Sequence, residues 1–427
     1  MSQITLCIIV AILFVVLCAI NKYSLGAIGM ITLAALMVTG CLDAKSALSY
    51  FSNSNVILVM SMFVVSAGFN RTSLIDNMSQ FVVKLTGGSF KRTFFCYIVL
   101  SAILTNFLNS PLVVFTIVLP LCAKMCDDYK VSPSKVMFPI ALVCVACCNI
   151  LPFGAAIQRS AIYTGYLETY GFSMGFSPLD LTKGRWPFLI LVPLWSFIYG
   201  YKLAPETPVV SITEQKISKA EKQPLNKFSD WAGIVIFFGV IVVFILSGKL
   251  GVAAWQVCFV GAVLDVLCGV LDKKEAIKAL PLEIAGMLVG SLALAGALTN
   301  TGACDVIGAF LSSTIGEVRN QYVLGAIFFI VPFLLTQLMQ NAAVMNIFAP
   351  ICLLTCKAIG ANPIGLLVLV TAGALSAFMT PMATGVIPTA MGVGGYDIKS
   401  LIKQSWILSI LLCITYIIYT MTVLPCF

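Results

Sequence analysis

The chain has 427 residues, of which 60% are hydrophobic and only 10% charged, with a formal net charge of +8. A water-soluble domain does not carry so apolar a composition, so soluble enzymes are excluded and the lipid bilayer is the expected surrounding. The basic excess is expected to mark cytoplasmic loops rather than a nucleic-acid partner, because membrane proteins hold Lys and Arg on that side.

Hydropathy sets the elements in chain order. Spans are predicted at 4–20 and 25–41, and a third starts near 55 and runs into an amphipathic tail from Thr72 to Lys84. A stretch at 93–122 is apolar but broken by Asn106, Asn109, Ser110 and Pro111. The span at 136–166 is interrupted between Asn149 and Gly154, and a further span follows at 186–202. A polar segment at 204–230 then joins the first half, 1–203, to the second, 231–427. There, spans are predicted at 231–247, at 252–271 and from 282, then a broken stretch at 321–354, a span at 362–392 interrupted between Thr380 and Pro388, and a last span at 402–424. Met1-Ser2-Gln3 has no basic segment of the signal-peptide kind, so the first span is expected to stay.

The halves echo each other. Leu104-Thr105-Asn106, running on to Pro120, corresponds to Leu335-Thr336-Gln337, running on to Pro350, and Cys122 and Cys126 answer Cys352 and Cys356. A duplicated apolar segment with a polar break at matching places points to a transporter's substrate site. The expected fold is an all-α polytopic membrane protein of two inverted repeats, each with five transmembrane helices plus one re-entrant hairpin. Charge supports the hairpins. With both termini extracytoplasmic, 17 basic residues fall inside, Lys273 and Lys274 among them, against six outside: Lys45, Lys183, Arg185, Lys249, Arg319 and Lys357. Were the broken stretches to cross, the basic linker would fall outside.

Non-helical backbone at membrane depth survives only where it lines a cavity or is buried in protein. Freed carbonyls there suit a cation, and freed N–H groups at helix N-termini suit an anion. Arg159 lies just past the first break, deep in an apolar span, and is expected to balance a bound anion. Arg71 is expected to serve the scaffold, Glu283 to be interfacial, and Asp265 to be paired or near a helix end. The chain has 16 Cys and no His. Cys144, Cys147 and Cys148 are expected to be packing residues, not a metal or redox centre.

These features resemble the divalent anion/sodium symporter family of the ion transporter superfamily. Leu335-Thr336 with Gln340-Asn341-Ala342 and Pro350 is similar to its Ser-Asn-Thr hairpin motif. Ala377-Phe378-Met379-Thr380-Pro381-Met382-Ala383-Thr384 is similar to its Ala-Phe-Met-Leu-Pro-Val-Ala-Thr run, and Gly395-Tyr396 stands where a Gly-Tyr pair follows. The resemblance implies sodium as coupling ion, held by Thr105, Asn109, Ser110, Asn149 and Gly154 in one half and by Thr336, Asn341, Ser376 and Ala383 in the other. It places a small divalent anion, carboxylate- or sulfate-like, between Asn109, Ser110, Asn341 and Thr384, and it implies elevator-type movement and a homodimer. Neither tip keeps the motif Thr, and Phe153-Gly154-Ala155-Ala156 stands where Gly-Thr-Pro-Pro-Asn is usual. The choice among dicarboxylate, tricarboxylate and sulfate therefore stays open. A proton-coupled or exchange-type carrier of the same superfamily, arsenite-permease-like, is the alternative. A membrane enzyme is not expected, since the chain lacks His and has few carboxylates within its spans.

Overall fold

The computed structural model describes residues 2–20, 22–74, 89–108, 110–212, 225–303, 306–307, 320–381 and 383–427. Among them the only regular structure is helical. Asn109, most of the amphipathic tail and part of the linker lie outside the described residues.

The first half contains α1 (Gln3–Ile20), α2 (Leu25–Val38), the short α3 (Ala44–Ser49) and α4 (Ser54–Phe69). Next come α5 (Phe90–Phe107), α6 (Pro111–Tyr129), α7 (Met137–Ala146), α8 (Gly154–Thr169), α9 (Pro178–Arg185) and α10 (Phe188–Trp195). The second half contains α11 (Lys227–Leu250), α12 (Ala254–Leu267), the short α13 (Lys273–Ala279) and α14 (Leu282–Asn300). It ends with α15 (Gln321–Thr336), α16 (Asn341–Ile359), α17 (Ile364–Leu375), α18 (Val386–Gly394) and α19 (Ile398–Val423). Helix starts follow local chemistry. Ser24, Asn53, Asp272 and Asp397 each accept a hydrogen bond from a first-turn N–H, and Pro111 and Pro178 stand where a helix needs no N–H. Among the described residues, five helical stretches, Ala44–Phe69, Lys227–Phe244, Lys273–Asn300, Asn341–Ile359 and Ile398–Val423, are long and apolar enough to cross a membrane.

The halves hold each other by crossed packing: α2 lies along α14, and α12 along α4. Where α2 meets α14 the backbones touch. A Cβ added to Gly29 would sit 2.2 Å from the Gly286 carbonyl oxygen, and one added to Gly290 would sit 2.1 Å from that of Gly29. Small residues permit such approach where helices pack without a hydrophobic driving force. Asp265 faces the other crossing, against Gly68. It lies near the end of α12 as expected but is not paired: it is buried, and neither carboxylate oxygen has a hydrogen-bond partner among the described residues. Arg71 forms an ion pair with Glu275 of α13, and Glu283 is exposed in the first turn of α14.

Two helix pairs, α5–α6 and α15–α16, each turn at a short polar tip beside a break, between α7 and α8 or between α17 and α18. The tip is tied to the break by the duplicated residues. Thr105 Oγ1 donates to Cys144 O at 2.7 Å, and Thr336 Oγ1 lies 2.9 Å from Ala374 O. Asn106 Nδ2 donates to Cys147 O at 3.0 Å, and its Oδ1 accepts from Ile150 N (2.9 Å) and Leu151 N (2.8 Å). Gln337 does the same in the second half: Nε2 donates to Ser376 O at 3.1 Å, and Oε1 accepts from Met379 N at 3.2 Å. One amide side chain per half thus satisfies backbone groups that lipid could not.

Gly29→Ala should lower the melting temperature in detergent, since overpacking costs about 1–3 kcal/mol. Gly239→Ala in α11, where an added Cβ meets nothing within 4 Å, should raise it slightly. Equal shifts would contradict the tight crossing. Asn106→Leu strands three buried backbone groups at about 1–3 kcal/mol each. It should destabilise more than Gln337→Leu, and an unchanged melting temperature would contradict the tie.

Candidate functional site

Both tips and both breaks meet at one cavity of about 300 Å³. Four helices begin there. Pro111 opens α6, Asn341 opens α16, Ala155 lies in the first turn of α8, and Thr384 precedes α18; all four residues line the cavity. Helix N-termini carry partial positive charge and unpaired N–H groups, so the convergence favours an anion. The complementary ends, the C-termini of α7 and α17, lie behind the tips and offer carbonyl oxygens.

Arg159 adds a full charge. Its guanidinium stacks over the Tyr163 ring at 5.5 Å, and its Nε and Nη1 are buried with no hydrogen-bond partner among the described residues. Nε2 of Gln158, beside it, is likewise unpartnered, as is Oδ1 of Asn346 in α16. All three side chains line the cavity. Unpaired buried donors are costly, so a site that holds several is arranged to receive acceptors. The opposite wall is wholly apolar: Val59 and Phe63 from α4, Ile284 and Met287 from α14.

The residues expected to hold substrate are partly gathered. Arg159, Asn341 and Thr384 line the cavity. Ser110 immediately precedes the lining Pro111, and Asn109 lies outside the described residues. Of the expected sodium ligands, Asn149, Asn341 and Ala383 line the cavity, whereas Thr105, Thr336 and Ser376 are buried behind it. Thr336 Oγ1 is 2.8 Å from Asn341 Oδ1, and Ser376 Oγ donates to Ala372 O at 2.8 Å. Asn149 adopts φ 58, unusual for a residue with a side chain, and Gly154 adopts φ 37, which its missing Cβ makes easy. The break thus turns at its two ends. Gln158, Asn346 and the tie residues Asn106 and Gln337 are absent from the expected set. Each is an amide within or at the end of a helix, a signal the sequence does hold.

Arg185 corrects the loop assignment. It was expected in an outside loop, but it is 1% exposed at the end of α9, beneath the first break. Nη1 donates to Cys148 O (3.0 Å) and Asn149 O (3.2 Å), Nη2 to Ala146 O (3.3 Å) and Nε to Tyr416 Oη (3.3 Å). The outside set loses one member, and the direction of the charge bias stands. Cys144, Cys147 and Cys148 are free and buried.

Comparison with known proteins agrees with this architecture. The citrate transporter family model (CitMHS) matches residues 15–373. A putative malate transporter of Bacillus subtilis, YflS, is 26% identical over 283 residues, 59% of this chain and 55% of that protein. An uncharacterized transporter of Haemophilus influenzae is 21% identical over 413 residues, 91% of this chain and 86% of that one. The matches to transporters of Synechocystis and Escherichia coli cover only 30% and 31% of those proteins. Among solved structures, Neisseria gonorrhoeae MtrF, described as one of a class of antimetabolite efflux pumps, aligns over 100% of this chain and 96% of its own, with a TM-score of 0.65 at 14% identity. The Alcanivorax borkumensis YdaH transporter aligns over 96% and 97%, with a TM-score of 0.63 at 13% identity. At such identities the likeness is one of fold. With a family model matched over most of its length, this multi-pass membrane protein belongs to the citrate transporter family.

Proposed function

We propose that the protein is a sodium-coupled carrier of a small di- or tricarboxylate, bound between the two hairpin tips. The observation that carries this reading is the Arg159 guanidinium, unpartnered at Nε and Nη1 in a cavity where four helices begin. One carboxylate would lie against the guanidinium edge and accept from one of these N–H groups, a charge-assisted hydrogen bond. A second would lie against the N-termini of α6 and α16, near Asn109, Ser110 and Asn341, with Thr384 and Gln158 supplying further donors. The family's citrate and the malate of the Bacillus subtilis relative both fit this chemistry. The volume suits a small solute, standing at the low end of the usual range for ligand pockets, about 300–1,000 Å³.

Sodium would sit behind the second tip, held by hydroxyl, amide and carbonyl oxygens of Thr336, Asn341, Ser376 and Ala383; the 2.8 Å approach of Thr336 Oγ1 to Asn341 Oδ1 supports this. Hard cations take such oxygen ligands. A cation there lowers the cost of anion binding, which is how coupling would arise. Movement is read as elevator-type. Every polar group lining the cavity comes from α8, α16, the tips or the breaks, and the scaffold presents only Val59, Phe63, Ile284 and Met287. An apolar wall makes no hydrogen bonds that sliding would break. Inverted repeats, extracytoplasmic termini and a homodimer complete the reading, the first two supported by the charge bias and all three by resemblance. The unpartnered Asp265 carboxylate favours a second reading, proton-coupled exchange.

The purified protein's melting temperature, with sodium exchanged for choline across citrate, malate and sulfate, tests these readings. A ligand at 100 times its Kd stabilises by about 2.7 kcal/mol. A rise with one carboxylate that needs sodium is expected, and Arg159→Gln should abolish it while the ligand-free melting temperature stays close to wild type. An Arg159→Gln protein that responds like wild type would contradict the site. A rise indifferent to sodium, lost in Asp265→Asn, would favour exchange.

A further inference from the structure

The two breaks differ in one respect that their matching ties conceal. At the first, three carbonyl oxygens, those of Ala146, Cys148 and Asn149, converge on the Arg185 guanidinium at 3.0–3.3 Å. No carboxylate pairs with this buried arginine among the described residues. Its surroundings are those of a bound cation: backbone oxygens, the negative end of α7, and the ring and hydroxyl of Tyr416, with the guanidinium carbon 5.7 Å from the ring centre. At the second break only neutral donors reach the carbonyls, Thr336 to Ala374 and Gln337 to Ser376, and no Lys or Arg does so among the described residues.

We propose that the first break takes no exchangeable cation, because the Arg185 guanidinium fills that place permanently, which leaves the second break as the carrier's single cation site. This rests on the sodium-coupled reading above and narrows it. The set Thr105, Asn109, Ser110, Asn149 and Gly154 then holds no sodium. The carbonyls of Cys148 and Asn149 are already taken by Arg185. Arg185 is a positioning residue: it sets the carbonyls of the break and, through them, the Asn149 side of the cavity, and it does not touch the anion. Its fixed charge would also stay with the protein through the whole transport cycle. One sodium per anion would therefore move, rather than two.

Two readouts test this. In wild type, sodium titration of citrate-dependent stabilisation should give a Hill coefficient near one, as a single exchangeable site requires. A coefficient near two would overturn the proposal. In Arg185→Ala, the ligand-free melting temperature should fall, and guanidinium chloride at low millimolar concentration should restore it by several degrees, with choline chloride at equal ionic strength having no effect. A variant indifferent to guanidinium would also overturn the proposal. Should Arg185→Ala not fold, the wild-type titration decides. Should wild type show no sodium response at all, the sodium-coupled reading fails, and the guanidinium arm alone decides what fills the first break.

Discussion

A peptide group freed from its helix inside a membrane must find a partner within the protein, and this structure is organised around meeting that demand twice. Each freed N–H or C=O left bare in hydrocarbon would cost several kcal/mol. Asn106 and Gln337 meet part of the demand with a single amide side chain each, donating to one side of a break and accepting from the other. Thr105 and Thr336 add a second tie one residue earlier. Because the hairpin tips serve the breaks, tip and break form one unit, and the cavity between the two units inherits their geometry.

That geometry sorts charge. Helices that begin at the tips and breaks aim N–H groups into the cavity, and helices that end there turn carbonyls away behind the tips. An anion and a cation can then bind close together without sharing ligands. Arg159 strengthens the anionic side, and Arg185 sits on the carbonyl side of the first break, where a free cation would otherwise be favoured. Positive charge is favoured at helix C-termini, which accounts for Arg185, whereas Arg159 adds to the positive N-terminal end of α8 and so calls for an anion there.

Much of this was legible in the sequence because the chain says it twice. Leu104-Thr105-Asn106 and Leu335-Thr336-Gln337 repeat a polar pair in apolar surroundings, and the pair does the same work in both halves. The breaks showed as Asn149–Gly154 and Thr380–Pro388, polar or helix-breaking residues in runs that should otherwise be helical. Arg185 was not legible. Locally it follows Lys183 in a charged segment, which reads as a loop, while its partners lie up to 39 residues before it and, at Tyr416, 231 residues after it. Local charge patterning cannot report a partner brought in by the fold. Asp265 was expected to be paired or near a helix end; it stands near the end of α12, and Gly68, with no side chain, is what faces it in place of a partner. Asn346 was overlooked because Asn341, five residues earlier, already matched the hairpin motif.

The most direct test of the central claim is an electron cryo-microscopy reconstruction of the purified protein in sodium with saturating citrate. The account predicts density for the anion between Pro111 and Asn341, with a carboxylate within hydrogen-bond distance of the Arg159 guanidinium. Citrate density elsewhere in the protein, or an Arg159 guanidinium turned away from a bound anion, would contradict it.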